Sequence, residues 1–492
     1  MDTCGRLSEA IRSGAFDRTF AALYPAQDAA ACGKRYLDLI EGFVNEYGGG
    51  ERRAALISAP GRTEVCGNHT DHQHGNVLAA AVDLDTLCVA AENGTRLIRV
   101  RSVGYPDVIV VSLDELGARA EERGVSSALV RGVAAWFTEH GAALGGFDAL
   151  TTSNVLGGSG LSSSAAFEVA IGTILNTLFG AGKSPLEVAI AGQFAENNYF
   201  GKPCGLMDQT ASSVGGFVRI DFADPQDPVV EPIAFDLAAH GLGLCVVNTK
   251  GSHAELTGEY AAITDEMRRV AEFFGKQYLR DVPESAFYDR LADVRAALSG
   301  VCGVAEIGKG AGAHTSATGA AAGTTTGTAA DTATDADSGI ATGGDRAVLR
   351  ALHFFRENSL VLETASALRA GDRERFLENI IRSGLSSFTC LQNVFAASRP
   401  DEQGLSLALA LSESTLRGKG GAWRVHGGGF AGTIQAFVPE PMLAEYRRTL
   451  EAAFGQGACL ALSIRPFGGT EVLADTQKMG KKEGLPNGGT AL

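Results

Sequence analysis

Asn154-Val-Leu-Gly-Gly-Ser-Gly-Leu-Ser-Ser-Ser-Ala-Ala-Phe-Glu168 sets three glycines and four serines into one short loop that runs into a helical pattern. From Leu161 the apolar positions recur at Ala165, Phe167, Ile171, Ile174, Leu175 and Leu178, near one face of a helix. A Gly/Ser loop feeding a helix N-terminus suits an anion, because glycine lets the backbone come close and the free amides and helix dipole favour negative charge. No Gly-Lys-Ser/Thr closes the loop and the dinucleotide G-x-G-x-x-G is absent, so it is neither a Walker loop nor a Rossmann turn. On composition alone a serine-capped flexible loop reads equally well.

Outward from this stretch, the order of elements gives an α/β (α+β) class. A helix is expected near 35–47 and a short strand at 56–59, halted by Pro60-Gly61. Strands follow at 87–91, 97–103 and 108–113, with a helix near 127–140. Ser184-Pro-Leu-Glu187 reads as a capping box opening a helix that reaches Tyr199 and carries Glu196. A buried strand at 242–248 and a long helix at 255–274 come next. Residues about 304–345 are Gly/Ala/Thr-rich with almost no bulky apolar side chain and are read as a disordered insertion. Helices are expected at 346–370 and 372–383, and strands at 433–438 and 460–466.

The chain of 492 residues is long enough for more than one domain. A net charge of -15 argues against nucleic acid or an anionic membrane as main partner, though not against a nucleotide bound at a local positive site. Nine cysteines without a C-x-x-C suit free thiols, and Cys66 and Cys204 are expected to be small buried apolar residues. The N-terminus carries no apolar signal segment and no stretch is long enough to span a bilayer, so a cytoplasmic protein is expected.

Three further clusters carry chemistry. Pro60-Gly-Arg-Thr-Glu-Val-Cys-Gly-Asn-His-Thr-Asp-His-Gln-His-Gly75 gathers short polar side chains able to hold a polyhydroxyl ligand. It also reads as a polar turn or, through His69, His72 and His74, as a metal tract, for which no partner spacing appears elsewhere. Gly201-Lys-Pro-Cys-Gly-Leu-Met-Asp-Gln209 offers Asp208 as a base or, more plainly, as a helix cap. His426-Gly-Gly-Gly-Phe-Ala-Gly-Thr433 is a glycine-dense turn before a strand.

Taken together and in this order, the clusters resemble the galactokinases within the GHMP small-molecule kinases. Pro60-Gly-Arg with Gly67-Asn-His-Thr-Asp71 is similar to the galactokinase signature, and Gly157–Ala166 to the phosphate loop. Cys204–Gln209 resembles C-G-I-M-D-Q, Gly427–Gly432 the third motif, and Tyr260 follows Asn248 at the family's spacing. The resemblance implies a two-domain fold, 1–240 and 241–492, with the active site in the cleft between them. It implies phosphoryl transfer from ATP with Mg²⁺ to the anomeric hydroxyl of galactose. Asp208 would be the base and Arg62 its charge partner. Asn68, His69, Asp71, Gly205 and Tyr260 would hold the sugar. Gly157, Gly158, Ser159, Gly160, Leu161, Ser162, Ser163 and Ser164 would wrap the ATP phosphates, and Ser164 and Glu196 would reach Mg²⁺.

One departure stands out. Asn68 occupies the place of the glutamate in G-E-H-T-D, and losing a charge-assisted hydrogen bond costs about 1.5–3 kcal/mol. Asn68 and the Asp71-His-Gln run also resemble galacturonokinases, which leaves a C6-variant sugar as the alternative substrate. The remote alternative is a non-catalytic sugar and ATP sensor. Ser162–Ala166 is whole, which favours catalysis.

Overall fold

The computed structural model describes residues 1–299 and 344–475, apart from 156, 158–159 and 252–255. The expected insertion therefore lies largely outside the described residues.

Two long strands, Arg53–Cys66 and Asn76–Glu92, pair antiparallel and form the spine of a nine-stranded sheet. Their side chains alternate between two cores, as a period of two requires. Ala55, Ile57, Ala59, Cys88 and Ala90 face one core, with the helices Ser126–Glu139, Ser163–Phe179 and Pro185–Ala195. Ala54, Leu56, Leu87, Val89 and Ala91 face the other, with the helices Cys4–Arg12, Asp17–Leu23 and Ala29–Tyr47. Burial on both faces explains the near-continuous apolar runs of these strands. The first strand continues through Pro60-Gly61, where the sequence suggested a stop. The ladder shifts register between Pro60 and Arg62, and such a bulge accommodates a proline that cannot donate.

A second, four-stranded antiparallel sheet runs Ala422–His426, Thr433–Pro439, Leu242–Asn248, Cys459–Leu462. One of its faces, through Leu244, Val246 and Phe437, shares a core with Val65, Leu78 and Phe217 of the first sheet and with Val361 and Phe376 of the helices Gly344–Ala370 and Arg373–Ser386. Thr470–Glu471 then returns to pair with Ile57 and Ser58. Buried Arg465 donates from Nη1 to Ser58 Oγ at 2.7 Å and pairs with Asp85 at 3.4 Å. The sugar-signature loop lies between the two spine strands, and the phosphate loop follows the neighbouring strand Phe147–Ser153.

Among the described residues no helix is long and apolar enough to cross a membrane.

Candidate active site

Asp208 lies in the first turn of the helix Met207–Val214, which has no side-chain cap. Its carboxylate instead accepts from Arg62 twice, Nε to Oδ1 and Nη2 to Oδ2, each at 2.7 Å. A bidentate guanidinium–carboxylate pair fixes geometry as well as charge. The Ser162 hydroxyl donates to Oδ2, and Arg62 Nη1 donates to the Gly160 carbonyl. Burial pushes the Asp208 carboxyl up, but the charge and hydrogen bonds of Arg62 outweigh it and hold the group below the ordinary carboxylate range. The Asp208 side chain keeps 29% of its surface exposed, so a substrate hydroxyl can reach it.

The phosphate loop meets this pair directly. Of its residues, Gly158 and Ser159 lie outside the described set. Gly160 has φ +72, and a Cβ there would lie 2.8 Å from Thr433 Oγ1 and 3.0 Å from His426 Nδ1. Leu161 is fully buried, and its carbonyl accepts from the Arg62 amide at 2.9 Å. Ser162, left-handed at φ 61, leads into the helix Ser163–Phe179. The unpaired amides of that helix's first turn are donors for an anion.

Behind the loop, Ser164 Oγ lies 3.5 Å from Glu196 Oε1, which also pairs with Lys202 Nζ at 2.9 Å. Glu196 opens a π-helical turn, Glu196–Phe200, that continues the capping-box helix. Gln209 Nε2 bridges Glu196 Oε2 and Glu168 Oε2, each at 2.9 Å. Glu168 was not singled out from the sequence; it is fully buried, and burial first, then Glu196, raises its carboxyl well above the ordinary range. Its one signal was a charged residue inside an otherwise apolar helix. Among the described residues no three His, Cys, Asp or Glu side chains cluster as a metal cage. A hydroxyl and a carboxylate are nevertheless the hard oxygen donors that Mg²⁺ takes when phosphates and water complete its shell.

The sugar signature folds against the glycine loop. Gly67 has φ +98, and a Cβ there would sit 2.7 Å from the Asn76 carbonyl oxygen, so only glycine fits the turn. Asn68 is 1% exposed. Its Nδ2 donates to Glu64 Oε1 at 3.0 Å and to the Gly427 carbonyl at 2.7 Å, and its Oδ1 accepts from Asn393 Nδ2 at 2.7 Å. His69 Nε2 donates to the Gly428 carbonyl at 3.0 Å. Burial, then His72, lowers the His69 imidazole to about 4, which keeps it neutral with Nδ1 as an acceptor. The Tyr260 hydroxyl donates to the Gly429 carbonyl at 2.9 Å, and its ring lies 6.4 Å from that of His69. A Cβ on Gly205 would lie 2.5 Å from Asp71 Oδ2, so these two expected neighbours do meet.

Asn393, Glu64 and Arg424 complete this region and were not singled out from the sequence. Arg424 is fully buried and pairs with Glu64 at 3.0 Å. The three histidines of the tract do not gather at one point: the rings of His69 and His72 lie 5.9 Å apart, but His74 stacks on Tyr278 at 3.6 Å. Cys66 is buried and burial raises its thiol, as it does that of half-buried Cys204, so neither is poised as a nucleophile.

The galactokinase galactose-binding signature matches residues 41–92, and the GHMP kinases N terminal domain matches residues 128–216. A Lactococcus lactis galactokinase crystallised with galactose is similar in structure at TM-score 0.66 and 21% identity, over 88% of this chain and 98% of that one. The mevalonate kinase of Methanococcus jannaschii gives 0.54 and 11% over 84% and 98%. A D-glycero-D-manno-heptose 1-phosphate kinase from Bacteriodes thetaiotaomicron gives 0.51 and 14% over 85% and 98%. With both matched segments set on this fold, the chain carries a GHMP kinases N terminal domain and a galactokinase galactose-binding signature, and its fold is similar to that of the galactokinase.

Proposed function

We propose that the protein transfers the γ-phosphoryl group of ATP to the anomeric hydroxyl of galactose. The observation that carries this reading is the bidentate Arg62–Asp208 pair, set where the phosphate loop and the sugar loop meet. Asp208 takes the proton of the anomeric hydroxyl as that oxygen forms its bond to the γ-phosphorus and the bond to the ADP oxygen breaks. Arg62 keeps Asp208 ionised beforehand and offsets charge on the moving group. Asn68, His69, Asp71, Gly205 and Tyr260 form the sugar end of the cleft. Gly157 to Ser164 receive the phosphates. Ser164 and Glu196 would hold Mg²⁺, which supplies neutralisation of phosphate charge. Positioning and electrostatics of this kind are what phosphoryl transfer needs.

The same reading divides the chain into residues 1–240, with the sugar and phosphate loops, and 241–492, with the glycine loop. A cytoplasmic location fits the cysteines, all free among the described residues.

The test is ADP release with Mg·ATP against galactose, galacturonate, N-acetylgalactosamine, arabinose and glucose. Turnover of galactose above the rest is the expected result; preference for galacturonate would keep the mechanism and change the substrate. Asp208→Asn should lose at least about 100-fold in kcat with the fold intact, the low end for a general base. A wild-type rate in that variant would sink the assignment.

A further inference from the structure

Three successive carbonyls of the glycine loop are held by side chains from the sugar end. Gly427 receives Asn68, Gly428 receives His69 and Asn393, and Gly429 receives the Tyr260 hydroxyl. In a trans peptide the N–H points opposite to the C=O of the residue before it. Pinning the carbonyls of Gly427 and Gly428 therefore aims the amides of Gly428 and Gly429 away from Asn68 and Asn393. The neighbouring His426 packs on Gly160 of the phosphate loop, with Nε2 at 3.0 Å from Thr63 Oγ1 and Nδ1 at 2.9 Å from Thr433 Oγ1. The pose of the glycine loop thus sets one wall of the cleft.

Within this clamp both protons of the Asn68 amide are committed. Both oxygens of Glu64, at 3.0 and 3.2 Å, and the Gly427 carbonyl take them, Asn393 donates to its oxygen, and the side chain is buried. The opposite amide assignment would set Oδ1 against a carboxylate and a carbonyl oxygen. Glu64 is itself buried and pairs with the Arg424 guanidinium at 3.0 Å. We infer that Asn68 is a positioning residue that fixes the glycine loop rather than a group that touches the sugar, and that Glu64 is what requires an amide at position 68.

The physical reason is charge. A glutamate at 68 would place a second buried carboxylate beside Glu64 and the Gly427 carbonyl, with Arg424 paired to Glu64 and Arg62 already bound to Asp208. Like charges set together out of water cost several kcal/mol. Moving the single carboxylate from 64 to 68 keeps one anion per Arg424 and leaves an amide to bridge. The departure from G-E-H-T-D does not by itself remove negative charge from the region, because Glu64 keeps a buried carboxylate 3.0 Å from the Asn68 amide.

This inference rests on the sugar-kinase reading for its kinetic arm only. The experiment is a four-member cycle of wild type, Asn68→Glu, Glu64→Asn and the double variant, read by thermal unfolding and by kcat and KM for the preferred sugar. Asn68→Glu is expected to unfold several degrees lower and to lose roughly 100-fold in kcat/KM, mainly in kcat. The double variant is expected to recover most of both. If Asn68→Glu does not accumulate as folded protein, the double variant must restore it. A wild-type melting temperature for Asn68→Glu, a double variant no better than it, or an effect confined to sugar KM would overturn the proposal. If the wild type turns over no sugar, the functional reading fails while the unfolding cycle still decides this one.

Discussion

At the scale of single residues, Asp208 shows how two opposed effects are settled by one neighbour. Burial pushes its carboxyl up, and Arg62 more than offsets that. Arg62→Met removes the largest effect that opposes burial and leaves Ser162 and Lys202. Because the carboxyl is depressed in the native protein, it stays ionised down to below its ordinary value of 3.8, and the stability it contributes is lost only as pH falls through its folded pKa. In Arg62→Met the acid limb of kcat/KM should move upward in pH, with a rate at neutral pH lower by about 100-fold or more. An unmoved acid limb would show that Arg62 does not set the state of the base. Glu168 is the reverse case. Its carboxyl is raised, so the folded state holds a proton that the unfolded chain releases above about 4.5, and stability is lost as pH rises beyond that value. Glu168→Gln, a neutral near-isostere, should melt above wild type at pH 8 and level with it at pH 4; the same offset at both pH values would contradict the assignment. The Asp208 role was expected through the family resemblance alone, whereas that of Glu168 was not open to sequence reading, since its carboxyl depends on neighbours such as Gln209, 41 positions away.

At the scale of elements, the phosphate loop is held from three sides. Arg62 bonds the Gly160 carbonyl, His426 and Thr433 cover its α-carbon, and the helix Ser163–Phe179 starts three residues on. Gly160→Ala should raise KM for Mg·ATP by roughly 10-fold or more, because the residue has positive φ and its Cβ would meet those side chains at 2.8–3.0 Å. An unchanged KM would mean that the loop relaxes without cost. The helix at 185–195, its capping box and Glu196 just beyond it were legible, because a cap is local chemistry. The strand Arg53–Cys66 was read short because Pro60 ends most strands, and only the ladder reveals the bulge that keeps it going. The helices Cys4–Arg12, Gly404–Leu416 and Leu443–Phe454 were not anticipated.

At the scale of the whole molecule, the two sheets share a core and are tied again by the returning residues 464–475. Ser299 and Gly344, which flank the undescribed stretch, lie side by side: a Cβ on Gly344 would be 2.7 Å from the Ser299 amide nitrogen. A short turn can therefore join them. Replacing residues 304–342 by a few glycines and serines is expected to leave the melting temperature and turnover within about twofold of the full chain, since loop length costs little. Loss of folding or of rate on that excision would give the stretch a structural or catalytic role.

The pairing of Asp208 with Arg62 entered only as what the family resemblance implies, whereas the sequence by itself determined the fold class and the Gly/Ser loop that runs into its helix. These are carried by contiguous motifs and by periodicity, which survive without knowledge of the third dimension. Tertiary structure alone decided that Glu64, Arg424 and Asn393 surround Asn68, and that Glu168 and Gln209 stand behind Glu196. Those contacts join residues up to 360 positions apart, and burial and charge act through space, so no local pattern encodes them.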